Sequence, residues 1–213
     1  MKRFVQALYR SAAGLLYHQF AWTYDLVAGL VSLGHWQSWV AVSTGFLEGR
    51  VLEIGFGPGH LQSRLLQARM PAFGIDESRA MARQARRKLL RSGLEPVLVR
   101  SRAEQLPFTA GAFTSVAATF PAEFIFDPAC LAEIRRVLVE QGRLVILPAA
   151  WLTPPLPLQH LATRTQPRAD RGDGVPPLGI LRGGLEAQGF QVQSERVELG
   201  ISQVLVIIAN KRR

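Results

Sequence analysis

Residues 51–60 read VLEIGFGPGH. Three glycines, Gly55, Gly57 and Gly59, stand on alternate positions behind a short apolar run that carries one acid, Glu53. Glycine has no Cβ, so a glycine-rich turn between a strand and a helix lets backbone approach a ligand closely. The helix that follows then aims its free N–H groups at that ligand. Several nucleotide sites use this device. A phosphate-binding P-loop ends in Gly-Lys-Ser/Thr, whereas this turn ends Gly59-His60-Leu61, which argues against phosphate cradling. A dinucleotide site takes G-x-G-x-x-G, and here the third glycine comes one residue early. The other reactive side chains are dispersed. His18, His35, His60 and His160 are scattered and read as surface or capping residues, and no metal site is expected. Cys130 reads as a packed thiol.

The elements that must position the glycine turn alternate along the chain from residue 50 onward. Val51–Ile54 is a strand, His60–Arg69 a helix with Leu61, Leu65 and Leu66 on one face, and Ala72–Ile75 a second strand ended by Asp76. Ser78 is placed to cap a helix that runs to about Arg91, stops before Gly93 and turns Met81, Ala85 and Leu89 inward. Strands follow at Pro96–Val99 and Phe113–Thr119. Asp127–Pro128 starts a further helix carrying Leu131, Ile134 and Leu138, and Arg143–Leu147 is a fifth strand. After a Pro-rich stretch over 148–177, a helix at Leu178–Gln188 precedes strands Phe190–Leu199 and Gln203–Ala209. These last two lie too close for a crossover helix, so they form a hairpin. The expected architecture is α/β: a Rossmann-like, mostly parallel seven-stranded sheet with helices on both faces and a C-terminal antiparallel hairpin strand. Residues 1–49 form an N-terminal helical cap or lid, and 50–213 the ligand-binding domain.

The 213 residues suit one such domain. One cysteine rules out an intramolecular disulfide framework and a Cys-based zinc cluster, so a reducing, cytoplasmic setting is the default. Lys and Arg number 25 against 16 acids, a net charge of +9. Nucleic acid, an anionic membrane or an acidic protein would each suit that sign. The basic helix Arg83–Arg91 has no interleaved aromatic residues for base stacking and reads as a solvated outer face. Residues 26–47 carry no charged side chain, but Gly34, His35, Gln37 and Ser38 fall in their middle, which favours two helices meeting at GHWQSW over a membrane span.

The pattern E-x-G-x-G-x-G at Glu53–Gly59 resembles the first motif of class I S-adenosylmethionine-dependent methyltransferases. RAEQLPF at Arg102–Phe108, TFPAEFI after the fourth strand and LAEIRRVLVEQGRLVIL into the fifth extend the likeness over about residues 50–147. The nearest likeness is to the ubiquinone/menaquinone-biosynthesis-like branch. The resemblance implies S-adenosylmethionine as cofactor, with Gly55, Gly57 and Gly59 along its methionine part and Glu53 helping to bind the amino group. Asp76 would bind the ribose hydroxyls, Glu77 and Ser78 would border the adenine, and Ala103 and Glu104 would close over it. The family usually has Asp at Arg102 and at Thr114, and a Gly pair at Gln141-Gly142.

Such an enzyme aligns its acceptor with the methyl group and excludes water, and needs no nucleophilic side chain of its own. By the resemblance, the N-terminal region lies over the methyl, which makes His35 and Tyr24 the candidates for acceptor contact. TFPAEF lacks the Asn/Asp-Pro-Pro-aromatic motif of nucleic-acid amino-methylation. A small or lipid-like acceptor is expected: a quinone precursor, another aromatic or a phospholipid amine. The alternatives are a catalytically silent cofactor-binding fold and a nucleic-acid or protein methyltransferase. Phe4, Leu8, Ala12 and Leu15 fall on one face of a helix over residues 3–16, bordered by Lys2, Arg3 and Arg10. Such a face can lie against an anionic membrane or pack on the domain as a lid.

Overall fold

The computed structural model describes residues 34–153 and 178–212. The segment 1–33, with the amphipathic stripe and Tyr24, and the Pro-rich stretch 154–177 lie outside the described residues. Helix α1 (Trp36–Val42) and a 3-10 turn (Ser43–Phe46) lead into β1 (Val51–Ile54), α2 (His60–Gln67), β2 (Ala72–Asp76), α3 (Arg79–Arg91), β3 (Val97–Arg100) and β4 (Phe113–Thr119). A second 3-10 turn (Glu123–Phe126) precedes α4 (Pro128–Val137), β5 (Leu138–Leu152), α5 (Leu178–Ala187), β6 (Phe190–Leu199) and β7 (Ser202–Lys211). The seven strands are ordered β3-β2-β1-β4-β5-β7-β6. β1 to β5 pair in parallel, and β7 runs antiparallel to both β5 and β6. The expected seven-stranded sheet with its antiparallel hairpin strand is therefore the one observed.

Alternation along the central strands divides the core. Leu52, Ile54, Val116, Ala118, Leu144 and Ile146 face α4 and α5, in one cluster with Leu131, Ile134, Leu181 and Leu185. Val51, Ala117, Val145 and Leu147 face the other way and pack with Trp39 and Val40 of α1 and Leu61 and Leu65 of α2. Burial on both faces is why the central stretches of these strands are mostly apolar in the sequence. The acid of β1, Glu53, lies two residues after Val51 and so shares the α1/α2 face.

The helix signals act as expected at two starts. The Ser78 hydroxyl accepts the Met81 N–H at 3.3 Å, and the Asp127 carboxylate accepts the Ala129 N–H at 2.8 Å with Pro128 in the first turn. α2 is shorter than its apolar pattern suggests. It ends at Gln67, and Arg69 turns the chain at φ +58°. Its second inward position is Gln62, fully buried, while Leu66 is only partly so.

β5 departs most from expectation. Leu138 belongs to the strand and not to α4: its backbone is already extended, and it pairs with Phe113. At the far end the strand runs on to Leu152, because β7 continues to pair with Ala149–Leu152 beyond the reach of β4. Pro148 cannot donate a ladder hydrogen bond, and the β5–β7 register shifts there, between Ile146 and Ala149. Thr114, in place of the family's usual Asp, donates to the carbonyls of Glu48 (2.7 Å) and Arg50 (3.1 Å) and ties the segment entering β1 to β4.

Candidate functional site

A cavity of about 290 Å³ opens at the carboxyl ends of β1, β2 and β4. β1 lies between β2 and β4, so the chain crosses over to opposite sides of it, and this is where doubly wound sheets bind ligands. Its floor and one side come from Glu53, the glycine turn, Asp76–Ser78 and Ser101–Glu104. The other side comes from Trp36 and Val40 of α1 and from Thr119–Ala122 and Phe124.

The three glycines have two different tasks. Gly55 and Gly57 border the cavity, at φ +72° and +51°. A Cβ on Gly57 would point into open space, so at this position the backbone itself forms the cavity wall. Gly59, at φ +81°, does not border the cavity. Its missing Cβ would lie 3.0 Å from the Cβ of Ala85, so it lets α2 start close against α3. Gly59 thus has a packing reason that is invisible in the motif, whereas Gly55 and Gly57 are the two glycines of the motif in the cavity wall.

Asp76 organises the turn from the end of β2. One carboxylate oxygen accepts the Gly57 N–H at 2.9 Å, and the other accepts the Ser78 N–H at 2.8 Å. One side chain thus joins the glycine turn to the start of α3 while bordering the cavity. Ser78 also borders the cavity, but its hydroxyl is engaged as the α3 cap and its N–H by Asp76. Glu77 is exposed beside them.

Glu53 lies on the floor with 1% of its surface exposed. Its carboxylate accepts from Gln62 Nε2 at 3.0 Å, and the same nitrogen donates to the Phe73 carbonyl at 3.1 Å. Burial pushes the Glu53 carboxyl up from 4.5 to about 8, against the Gln62 hydrogen bond and with help from the charge on Asp76. The group is therefore mostly protonated at neutral pH in the unliganded protein.

Ala103 is buried in the cavity wall and Glu104 half-buried beside it. Arg102 pairs with Glu104 at 3.3 Å, with 64% of the arginine side chain exposed. A backbone hydrogen bond first, and then Arg102, hold the Glu104 carboxyl below its ordinary value. Arginine has only donors and cannot accept from an adenine amine. Arg102→Asp is therefore expected to tighten cofactor binding several-fold in calorimetry, while Glu104→Ala weakens it by a similar factor. Unchanged constants for both variants would show that this loop does not lie over the adenine.

Of the two acceptor candidates, Tyr24 lies outside the described residues, and His35 is not in the cavity wall. The His35 carbonyl accepts the Trp39 N–H at 3.0 Å at the start of α1, and the neighbouring Trp36 borders the cavity instead. Gln62, Trp36 and Phe120 are the site residues that sequence reasoning missed. The two aromatics stand inside the quoted segments GHWQSW and TFPAEF, and a bulky apolar residue beside a glycine or proline turn was the available signal.

Cys130 is fully buried on α4, and burial pushes its thiol up to about 12, which makes it inert near neutral pH. No helix among the described residues is long and apolar enough to cross a membrane.

Known proteins resemble the chain in sequence and in fold. The family described as "Methyltransferase domain" matches residues 52–146. The ubiquinone/menaquinone biosynthesis C-methyltransferase UbiE of Burkholderia mallei is 30% identical over 155 residues, 69% of this chain and 63% of that protein. The chain thus spans 63% of the length of the curated relative it matches. Among solved structures, a SAM-dependent methyltransferase of Thermotoga maritima, a possible histamine N-methyltransferase, superposes with TM-score 0.62 at 21% identity, over 92% of this chain and 97% of that one. The magnesium protoporphyrin IX methyltransferase of Synechocystis PCC 6803, solved with bound SAH, gives TM-score 0.56 at 21% identity, over 85% of each chain. Over residues 52–146 the chain matches the methyltransferase-domain family, its sheet is the fold of the S-adenosylmethionine-dependent methyltransferases, and its sequence likeness lies with their ubiquinone/menaquinone-biosynthesis-like branch.

Proposed function

We propose that the chain transfers a methyl group from S-adenosylmethionine to a small, lipophilic acceptor, with a quinone precursor or related aromatic as the first candidate. The observation that supports this is the two-sided cavity. Its β1–β3 side carries Glu53, Asp76, Glu77 and Glu104, while the side formed by Trp36, Val40, Phe120, Pro121 and Phe124 is apolar. The relative's role in ubiquinone and menaquinone biosynthesis agrees with that polarity.

The residues fit the cofactor. The open space at Gly57 leaves room for a ligand against backbone, and Asp76, already oriented by two N–H donors, is the acid for the ribose. Glu53 is the acid for the methionine amino group, with Gly55 and Gly57 along the chain between. Glu77, Ala103 and Glu104 surround the adenine end, and Ser78 contributes through its place in the wall. When bound, S-adenosylmethionine supplies an electrophilic methyl on a sulfonium. The protein's part is alignment and exclusion of water, for which the apolar side is suited.

Incubating the full chain with cell extract and methyl-labelled cofactor tests the proposal. The expected product is a labelled small molecule that partitions into organic solvent. Label in protein or nucleic acid would sink the acceptor class. Cofactor binding without any labelled product would favour the silent fold, the reading that Arg102 supports.

A further inference from the structure

We infer that Trp36 and Phe120 form an acceptor platform selective for a planar, uncharged aromatic ring. The inference rests on the methyl-transfer reading and narrows its acceptor.

The two rings border the cavity, with centroids 4.4 Å apart and planes tilted by 33°. They come from distant parts of the chain, α1 and the end of β4. Trp39 backs both, at 6.5 Å from Trp36 and 6.3 Å from Phe120. Trp39 is itself anchored, because its indole N–H donates to the buried Ser202 hydroxyl of β7 at 3.0 Å. The platform is therefore held from the sheet and preorganised.

Phe120 carries a second sign of function. Its φ is +48°, a region that bulky side chains avoid. The conformation is imposed from several sides: its N–H donates to the Leu147 carbonyl of β5 at 2.8 Å, Pro121 follows it, and its ring lies on Trp36. Such strain persists where surroundings over-determine it, and it concentrates at ligand sites. Here the unusual backbone places a phenyl ring in the cavity wall.

Charge selects among apolar acceptors. Among the described residues, the acids of the cavity wall come from β1, from the end of β2 and from the loop after β3. Trp36, Val40 and Thr119–Ala122 contribute none. Among the described residues, a trimethylammonium or phospholipid amine on these rings would thus have no carboxylate from the same segments beside it. Two rings already in contact also cannot enclose a cation between them, as an aromatic cage does. A flat neutral ring loses nothing by this arrangement and gains stacking contact.

The test is calorimetry on the full chain saturated with S-adenosylhomocysteine, using 1-naphthol, its saturated decahydro analogue and tetramethylammonium as probes. 1-Naphthol is expected to bind at least tenfold tighter than either other probe. Trp36→Ala and Phe120→Ala should each weaken it about tenfold or more, while S-adenosylhomocysteine binding stays within about threefold. Trp36→Phe and Phe120→Tyr keep a ring, should retain most naphthol affinity, and cover the case in which an alanine variant does not fold. Equal affinity for the saturated analogue, tighter binding of the cation, or naphthol binding untouched by the alanine variants would each overturn the platform while leaving methyl transfer standing. Failure of wild-type chain to bind S-adenosylhomocysteine would overturn the methyl-transfer reading first, and the platform with it.

Discussion

Asp76→Ala is expected to weaken S-adenosylmethionine binding by at least a hundredfold in calorimetry. Sequence alone supports one loss, a charge-assisted contact to the ribose worth about 1.5–3 kcal/mol. The structure adds another. The same carboxylate accepts the N–H groups of Gly57 and Ser78, so its removal leaves two donors unpaired and frees the glycine turn from α3. Asp76→Asn separates the two effects. An amide keeps one acceptor for the turn but places N–H donors opposite one of the backbone donors, so it should fall between wild type and alanine. Gly57→Val should abolish binding outright, because Gly57 sits at φ +51° and a branched side chain would enter the cavity. Near wild-type constants for Asp76→Ala and Gly57→Val would mean that the cofactor does not occupy this cleft.

The second large effect is a pH dependence carried by Glu53. Unliganded, this carboxyl is raised from 4.5 to about 8 by burial, so near neutrality it is mostly neutral. A cationic amino group bound beside it favours the ionised form, so binding releases a proton. Affinity should therefore climb with pH, approaching about tenfold per pH unit below the raised value, and flatten above about 8. The stability of the empty protein moves the opposite way. Between 4.5 and about 8 the folded chain holds a proton that the unfolded chain has released, so stability falls as pH rises through that window and levels off above it. Glu53→Gln removes the ionisation. It should melt higher than wild type at pH 8, bind cofactor more weakly there, and lose the pH slope of affinity. A slope that survives in Glu53→Gln would assign the proton to another group.

Both effects depend on contacts between residues far apart in the chain, and this marks what was legible beforehand. Local signals read true: the Ser78 and Asp127 caps, the inward stripe of Met81, Ala85 and Leu89, the apolar central strands and the closing hairpin. Each is a relation between residues a few positions apart, governed by helix or strand period and by cap chemistry, so sequence by itself determined them. The ordered motifs likewise placed the glycine turn, Asp76 and the Ala103–Glu104 loop around one cleft, since a doubly wound sheet brings the ends of its strands together. Tertiary structure alone decided the rest. Whether Gly59 serves a ligand or a helix contact depends on how closely α3 approaches α2. Glu53 acquired its high pKa from its burial at the depth of β1 and from the charge of Asp76 at the end of β2, against the hydrogen bond from Gln62 on the helix above it. β5 outran its apolar run because β7 extends beside it as an antiparallel partner. Trp36, and not His35, reached the cavity wall because the packing of α1 on the sheet chose which residue of that turn faces the cleft. Spacing constrains neighbours along a chain, but the meeting of separate elements is set by the packing of the whole core.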